Sequence, residues 1–208
     1  MPSPSSLSKT IALNNGVQMP RIHLGVYMTS GRETETAVST ALTAGYLAFD
    51  SAEWYANEAQ VGSAMNKYLN ANKNVKREDL WFTTKLKTNT SYDATRKAVK
   101  DSLKRSGLDY IDLYLLHSPY GGKQRRLECW RAVEDAIADG EVRAGGVSNY
   151  GVKHVSFPFS GSSFQQSPST HKDSPSRSCQ YSWSWSKYLS ALCPGHFTIS
   201  LCLLAIRG

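Results

Sequence analysis

Residues 80–118 read LWFTTKLKTNTSYDATRKAVKDSLKRSGLDYIDLYLLHS, and this stretch decides the fold. LWFTTKL (80–86) and IDLYLLHS (111–118) are of strand length and apolar on both faces, the pattern of strands buried in a parallel sheet. Between them, residues from about Ser91 to Gly107 have helical spacing, with Ala94, Ala98 and Leu103 expected on one side. Strand, helix, strand with short connections is the repeating unit of a parallel α/β sheet.

The same alternation continues on both sides. RIHLGVY (21–27), YLAFDSA (46–52) and EVRAGGVSN (141–149) are three further strand candidates. Ser30-Gly31-Arg32-Glu33 reads as a capping box opening a first helix that ends at Gly45. Asn57 followed by Gln60 opens a second, with Val61, Ala64, Met65 and Tyr68 at helical spacing. Another runs from about Arg126 to Asp139 and turns Trp130, Val133 and Ile137 inward. TIAL and VQMP flank Asn14-Asn15-Gly16 and read as a β-hairpin ahead of the first strand. A (β/α)8 barrel needs eight strand–helix units and about 250 residues. The expected fold is therefore α/β: an incomplete (β/α)8 TIM barrel of about five βα units, preceded by a β-hairpin and followed by a poorly structured C-terminal tail.

Composition bounds the function. The chain has 208 residues, 40% hydrophobic and 20% charged, which excludes collagen-like, coiled-coil and wholly disordered chains. The formal charge of +7 favours anions in general. No Lys/Arg run reaches the roughly five to eight residues of a nucleic-acid patch, so nucleic acid is not an expected partner. No stretch approaches ~18 consecutive apolar residues, so no membrane span is expected. The start, MPSPSSLSKT, lacks the apolar core of a secretory signal. Cys129, Cys179, Cys193 and Cys202 form no CxxC pair, which points to free thiols, a cytoplasmic location and no metal site.

The composition breaks near Val155. Residues 156–208 hold 14 serines and one acid, Asp173, against 16 acids before them. The expected division is a barrel over residues 9–154 and a Ser/Pro-rich tail over 155–208, disordered or an artefact of the reading frame.

In a barrel of this kind the C-terminal ends of the strands face the active site. The first strand ends at Gly25-Val26-Tyr27. The second delivers Asp50 and, five positions on, Tyr55. The third delivers Lys85, the fourth His117 and the fifth Ser148 and Asn149. Together these side chains make chemical sense. A Tyr ionises near pH 10, and a neighbouring ammonium favours its phenolate. An Asp can hold the Lys charged and oriented. A His can hydrogen-bond a carbonyl oxygen while the Tyr donates its proton to it. The set lacks a hydride source, which must come from a cofactor.

Two motifs carry a resemblance. Gly45-Tyr46-Leu47-Ala48-Phe49-Asp50-Ser51-Ala52, with Glu58, Val61 and Gly62 downstream, resembles the first signature of the aldo-keto reductase family, departing at Leu47 where Arg is usual. Val142-Arg143-Ala144-Gly145-Gly146-Val147-Ser148-Asn149-Tyr150 resembles the second, departing at Gly145 where an aliphatic residue is usual. FTTKL (82–86) and LYLLH (113–117) add to it.

The resemblance implies NADPH-dependent reduction of aldehydes or ketones, so the expected partner is a small carbonyl substrate. It makes Tyr55 the proton donor, has Lys85 lower the pKa of Tyr55 and Asp50 pair with Lys85, and has His117 orient the substrate carbonyl. Gly25, Val26, Tyr27, Asp50, Ser148 and Asn149 become cofactor contacts and Trp54 a substrate wall. It covers about residues 9–154. The later segments that the family uses for most of its grip on NADPH find no match in residues 155–208. Two alternatives follow: an inactive remnant unable to hold cofactor, or a fragment that acts through its tail as an interaction module.

Overall fold

The computed structural model describes residues 9–151, His154 and the backbone of Ala205–Ile206. The chain opens with an antiparallel hairpin of β1 (Thr10–Ala12) and β2 (Gln18–Pro20), with Ile11 opposite Met19. Its turn is closed by Leu13 N–H donating to Val17 O at 2.8 Å, and Gly16 takes the φ of +84° that the turn requires.

A six-stranded sheet follows in chain order: β3 (Leu24–Gly25), β4 (Ala48–Asp50), β5 (Trp81–Leu86), β6 (Ile111–Leu116), β7 (Val142–Val147) and β8 (Ala205–Ile206). The first five strands are parallel, and β8 pairs antiparallel with β7. The connections are helices α1 (Gly31–Thr43), α2 (Glu58–Ala71), α3 (Tyr92–Ser106) and α4 (Gly122–Ala138). This is the expected run of five parallel strands behind a hairpin, in the arrangement of a (β/α)8 barrel. The tail expected over 155–208 lies outside the described residues except at β8. No helix among the described residues is long and apolar enough to cross a membrane.

Alternation along the strands builds two cores. Outward residues such as Phe49, Phe82, Tyr114 and Val147 pack in one core with Val38, Leu42, Val61, Met65, Val99 and Val133 of the helices. Inward residues Ala48, Trp81, Leu113, Leu115 and Ala144 meet Leu13 and Met19 of the hairpin, which plugs the N-terminal end of the sheet. At that end the fully buried Asp112 accepts from Arg77 Nη2 at 2.7 Å, Arg143 Nη1 at 2.8 Å and Phe82 N–H at 2.9 Å, which ties β5, β6 and β7 together.

Three local expectations need correction. Ser30 occupies the cap position of α1, but its side chain caps nothing; the nearby hydroxyls of Thr29 and Thr34 pair with each other instead. The fourth helix starts at Gly122, not near Arg126, because Gly121 and Gly122 both adopt positive φ and turn the chain directly into it. In α3 the buried face is Thr95, Val99, Ser102 and Ser106, while Ala94 is exposed. Hydroxyls buried against their own helix explain the rotation: Thr95 Oγ1 donates to Ser91 O and Ser106 Oγ to Leu103 O, so these residues enter the interior satisfied.

Small residues there also let α2 and α3 touch. A Cβ on Gly62 would stand 1.8 Å from Ser106 O, and the obstacle is backbone. At Gly145 a Cβ would meet Val133 at 2.8 Å and Trp130 at 3.3 Å, so α4 fills the room that an aliphatic residue would need in β7. Gly62→Ala is expected to cost about 3 kcal/mol, read as a lowered urea midpoint at unchanged slope.

Candidate active site

Asp50, Lys85 and His117 all stand at the C-terminal end of the sheet, on β4, on β5 and just after β6. The strand register puts Asp50 beside Thr83 and Lys85 beside Leu115, so the acid and the base come from adjacent strands and face the same interior. Lys85 Nζ donates to Asp50 Oδ1 at 2.5 Å and to Ser51 O at 2.8 Å. Both residues are buried. Burial pushes the Asp50 carboxyl above its usual range, and the Lys85 ammonium opposes that shift.

Tyr55 lies in a 3-10 turn, Glu53–Tyr55, directly after β4. The turn ends on Ala56 at φ 53°, a left-handed residue that is not glycine. The Tyr55 ring centroid is 5.0 Å from Lys85 Nζ, 5.8 Å from the His117 ring and 4.9 Å from the Tyr27 ring. The structure thus brings together Asp50, Tyr55, Lys85, His117 and Tyr27. Burial opposes the expected lowering of the Tyr55 pKa by Lys85. Burial pushes the phenol up to about 12, with the Asp50 charge and Tyr27 adding to it.

His117 is pushed the other way, to about 4, by burial and by the Lys85 charge. Its imidazole is therefore neutral at neutral pH and offers one donor and one acceptor nitrogen. Nδ1 is buried without a hydrogen-bond partner among the described residues. Asn149 packs beside it and donates from Nδ2 to His117 O at 2.9 Å and to Ser148 Oγ at 3.1 Å. Asn149 has φ 61°. Ser148 is buried and Asn149 exposed. Gly25 and Val26 are buried beneath the mouth, with Gly25 opposite Asp50 in the register.

Trp54 is exposed, yet its indole is fixed by Nε1–H donation to Lys87 O at 2.7 Å. Asn57, read from sequence only as a helix opener, is a buried bracket. It donates to Val26 O and Thr29 O and accepts from Ser51 Oγ, which joins the ends of β3 and β4. An Asn ahead of a helix is the ordinary signal of a cap, so nothing in the sequence marked this one out. Lys87 was also missed. Its position two residues after Lys85 was the available signal.

All three non-glycine residues with positive φ among those described, Met28, Ala56 and Asn149, flank this mouth. Backbone strain of this kind collects where surrounding structure holds a functional geometry. A cavity of about 270 Å³ lies at the opposite, hairpin end, lined by Pro20, Leu47, Trp81 and Arg143, and takes no part in this arrangement.

Comparison with known proteins agrees with the geometry. The family model described as Aldo/keto reductase family matches residues 21–175. An uncharacterized oxidoreductase of Schizosaccharomyces pombe is 43% identical over 149 residues, covering 72% of this chain and 53% of that protein. Glyoxal reductase of Bacillus subtilis is 41% identical over 154 residues, covering 73% and 53%. Among solved structures, a Bombyx mori aldo-keto reductase in complex with NADP is 35% identical with a TM-score of 0.68, covering 76% of this chain and 55% of that one. The chain spans about half the length of the curated relatives it matches.

The neutral His117 predicts a pH dependence. Above pH 6.5 the folded and unfolded chains both leave it unprotonated. As pH falls from 6.5 toward about 4, only the unfolded chain takes up the proton, so stability is lost across that window. Urea midpoints for the wild type and His117→Gln should separate there, with the wild type falling more steeply and the difference constant above pH 6.5.

Proposed function

The chain belongs to the aldo/keto reductase family, and on that premise we propose that this mouth reduces the carbonyl group of an aldehyde or ketone to an alcohol, with NADPH as hydride source. The observation that carries the reading is the Tyr55 phenol, held protonated between a neutral His117 and the Lys85–Asp50 pair.

The residues beside His117 suit the nicotinamide end of such a cofactor. A hydroxyl from Ser148 and an amide from Asn149 can donate to and accept from a carboxamide. Asp50, Gly25, Val26 and Tyr27 complete the set that would hold it. When bound, the reduced nicotinamide supplies a hydride to the carbonyl carbon. The protein's own groups do the rest. His117 hydrogen-bonds the carbonyl oxygen and orients it. As negative charge develops there, Tyr55 gives its phenolic proton to that oxygen. An alkoxide is more basic than a phenolate, so a phenol near 12 remains a competent acid. Lys85 stabilises the phenolate left behind, and Asp50 keeps Lys85 in place.

A second reading, a chain that keeps these side chains without turning over substrate, is favoured by one fact: it spans about half the length of its relatives. One assay separates the two. NADPH oxidation with a test aldehyde should fall at least about 100-fold in Tyr55→Phe, with the far-ultraviolet circular dichroism unchanged. Equal rates in the two proteins would remove Tyr55 from the mechanism. No oxidation by the wild type would favour the second reading.

A further inference from the structure

Lys87 is the part of the mouth that the proposed chemistry leaves unused. It follows β5 by one residue, about 7 Å farther along the chain than Lys85. Its backbone is gripped from both sides: its N–H donates to Glu53 Oε2 at 3.0 Å, and its carbonyl accepts the Trp54 indole N–H at 2.7 Å. Its ammonium folds back to 5.1 Å from the Trp54 ring centroid. The indole is 59% exposed despite being anchored. A fixed, solvent-facing aromatic plate with a cation above it is a preorganised surface.

The charges nearby sharpen the point. The cation of Lys85 is matched by Asp50 at 2.5 Å. Among the described residues no carboxylate forms an ion pair with Lys87; Glu53 is engaged by the backbone N–H. The Lys87 ammonium, held in no side-chain ion pair among the described residues, therefore stands outward from Tyr55 and beside an apolar plate.

We propose that the Lys87–Trp54 pair is a specificity site that selects carbonyl compounds with a flat apolar body and a single carboxylate at the end remote from the carbonyl. The indole takes the flat body and the ammonium takes the carboxylate. The inference rests on the reading of this mouth as a carbonyl-binding site.

The test uses 4-carboxybenzaldehyde and its neutral methyl ester, with binding followed through the Trp54 indole N–H resonance, assigned with Trp54→Phe. The carboxylate should bind about fivefold tighter than the ester at low salt, the scale of one exposed ion pair. High salt should shrink that preference. Lys87→Met should abolish it while leaving ester binding in place, and Lys87→Arg should keep it. Equal affinity for acid and ester in the wild type, a preference that survives in Lys87→Met, or a Trp54 resonance that neither compound moves would each overturn the proposal. NADPH oxidation with the ester is measured alongside. If it is absent while the charge preference holds, the carbonyl-reduction reading fails and the anion site stands.

Discussion

The Asp50–Lys85 pair is the interaction on which the mouth depends. Removing two charges from water costs several kcal/mol per ion, and mutual attraction repays that only when geometry is good and the remaining hydrogen-bonding capacity is used. Here the ammonium also reaches Ser51 O, so the base of the pair is held by two neighbours on the β4 side. The pair then adds to what burial does around it. Burial lowers His117, and the Lys85 charge adds to that. Burial raises Tyr55, and the Asp50 charge adds to that. An acid and a neutral hydrogen-bond donor thus stand side by side because both are buried next to one ion pair.

The two ends of the sheet are built on opposite plans. At the hairpin end Asp112 is saturated by two guanidinium groups and a backbone N–H, and the hairpin fills the interior with Leu13 and Met19. That end is finished and inert. At the other end the strained residues Met28, Ala56 and Asn149 adjoin Tyr27, Tyr55 and Ser148, and a buried nitrogen of His117 has no hydrogen-bond partner among the described residues. Tyr27 and Trp54 face solvent there although they are large and apolar. Strain, an unmet hydrogen bond and exposed aromatics are all costs to stability, and they fall together around the proposed reacting atoms.

Much of this was legible in the sequence because parallel strands leave a strong mark. LWFTTKL and IDLYLLHS are apolar on both faces, and every residue of β5 and β6 is buried. Strand ends then located Asp50, Lys85, His117 and Ser148 by counting. What failed was whatever depends on where a hydroxyl or an amide finds its partner. Apolarity grouped Ala94 with Ala98 and Leu103, yet Ala94 is exposed and the neighbouring Thr95, which bonds its own helix, is buried. Ser30 and Asn57 hold the cap positions of their helices, but the Ser30 side chain caps nothing and the Asn57 side chain brackets two strand ends. A list of charges, without burial, could not show that desolvation raises the Tyr55 phenol. Gly145 looked like a departure from a family pattern until Trp130 and Val133 were seen to occupy the space beside it.

The register of β5 is what makes the pair possible, and it is fixed from both faces. Successive residues of a strand point to opposite sides, so Lys85 can face the interior only if Thr84 faces the helices. Thr84 Oγ1 donates to Glu58 Oε1 at 2.6 Å, and Arg105 of α3 donates to Glu58 Oε2 at 2.7 Å. Glu58 is almost wholly buried, so both its oxygens need these partners. A slip of β5 by one residue would strand Glu58 on one face and Asp50 on the other. Glu58 also begins α2, three residues after Tyr55. The carboxylate that locks Lys85 into the interior from outside is therefore on the same short segment that delivers the phenol. Placement of the acid and of its cation is one constraint, written into residues 50–58 and 84–85.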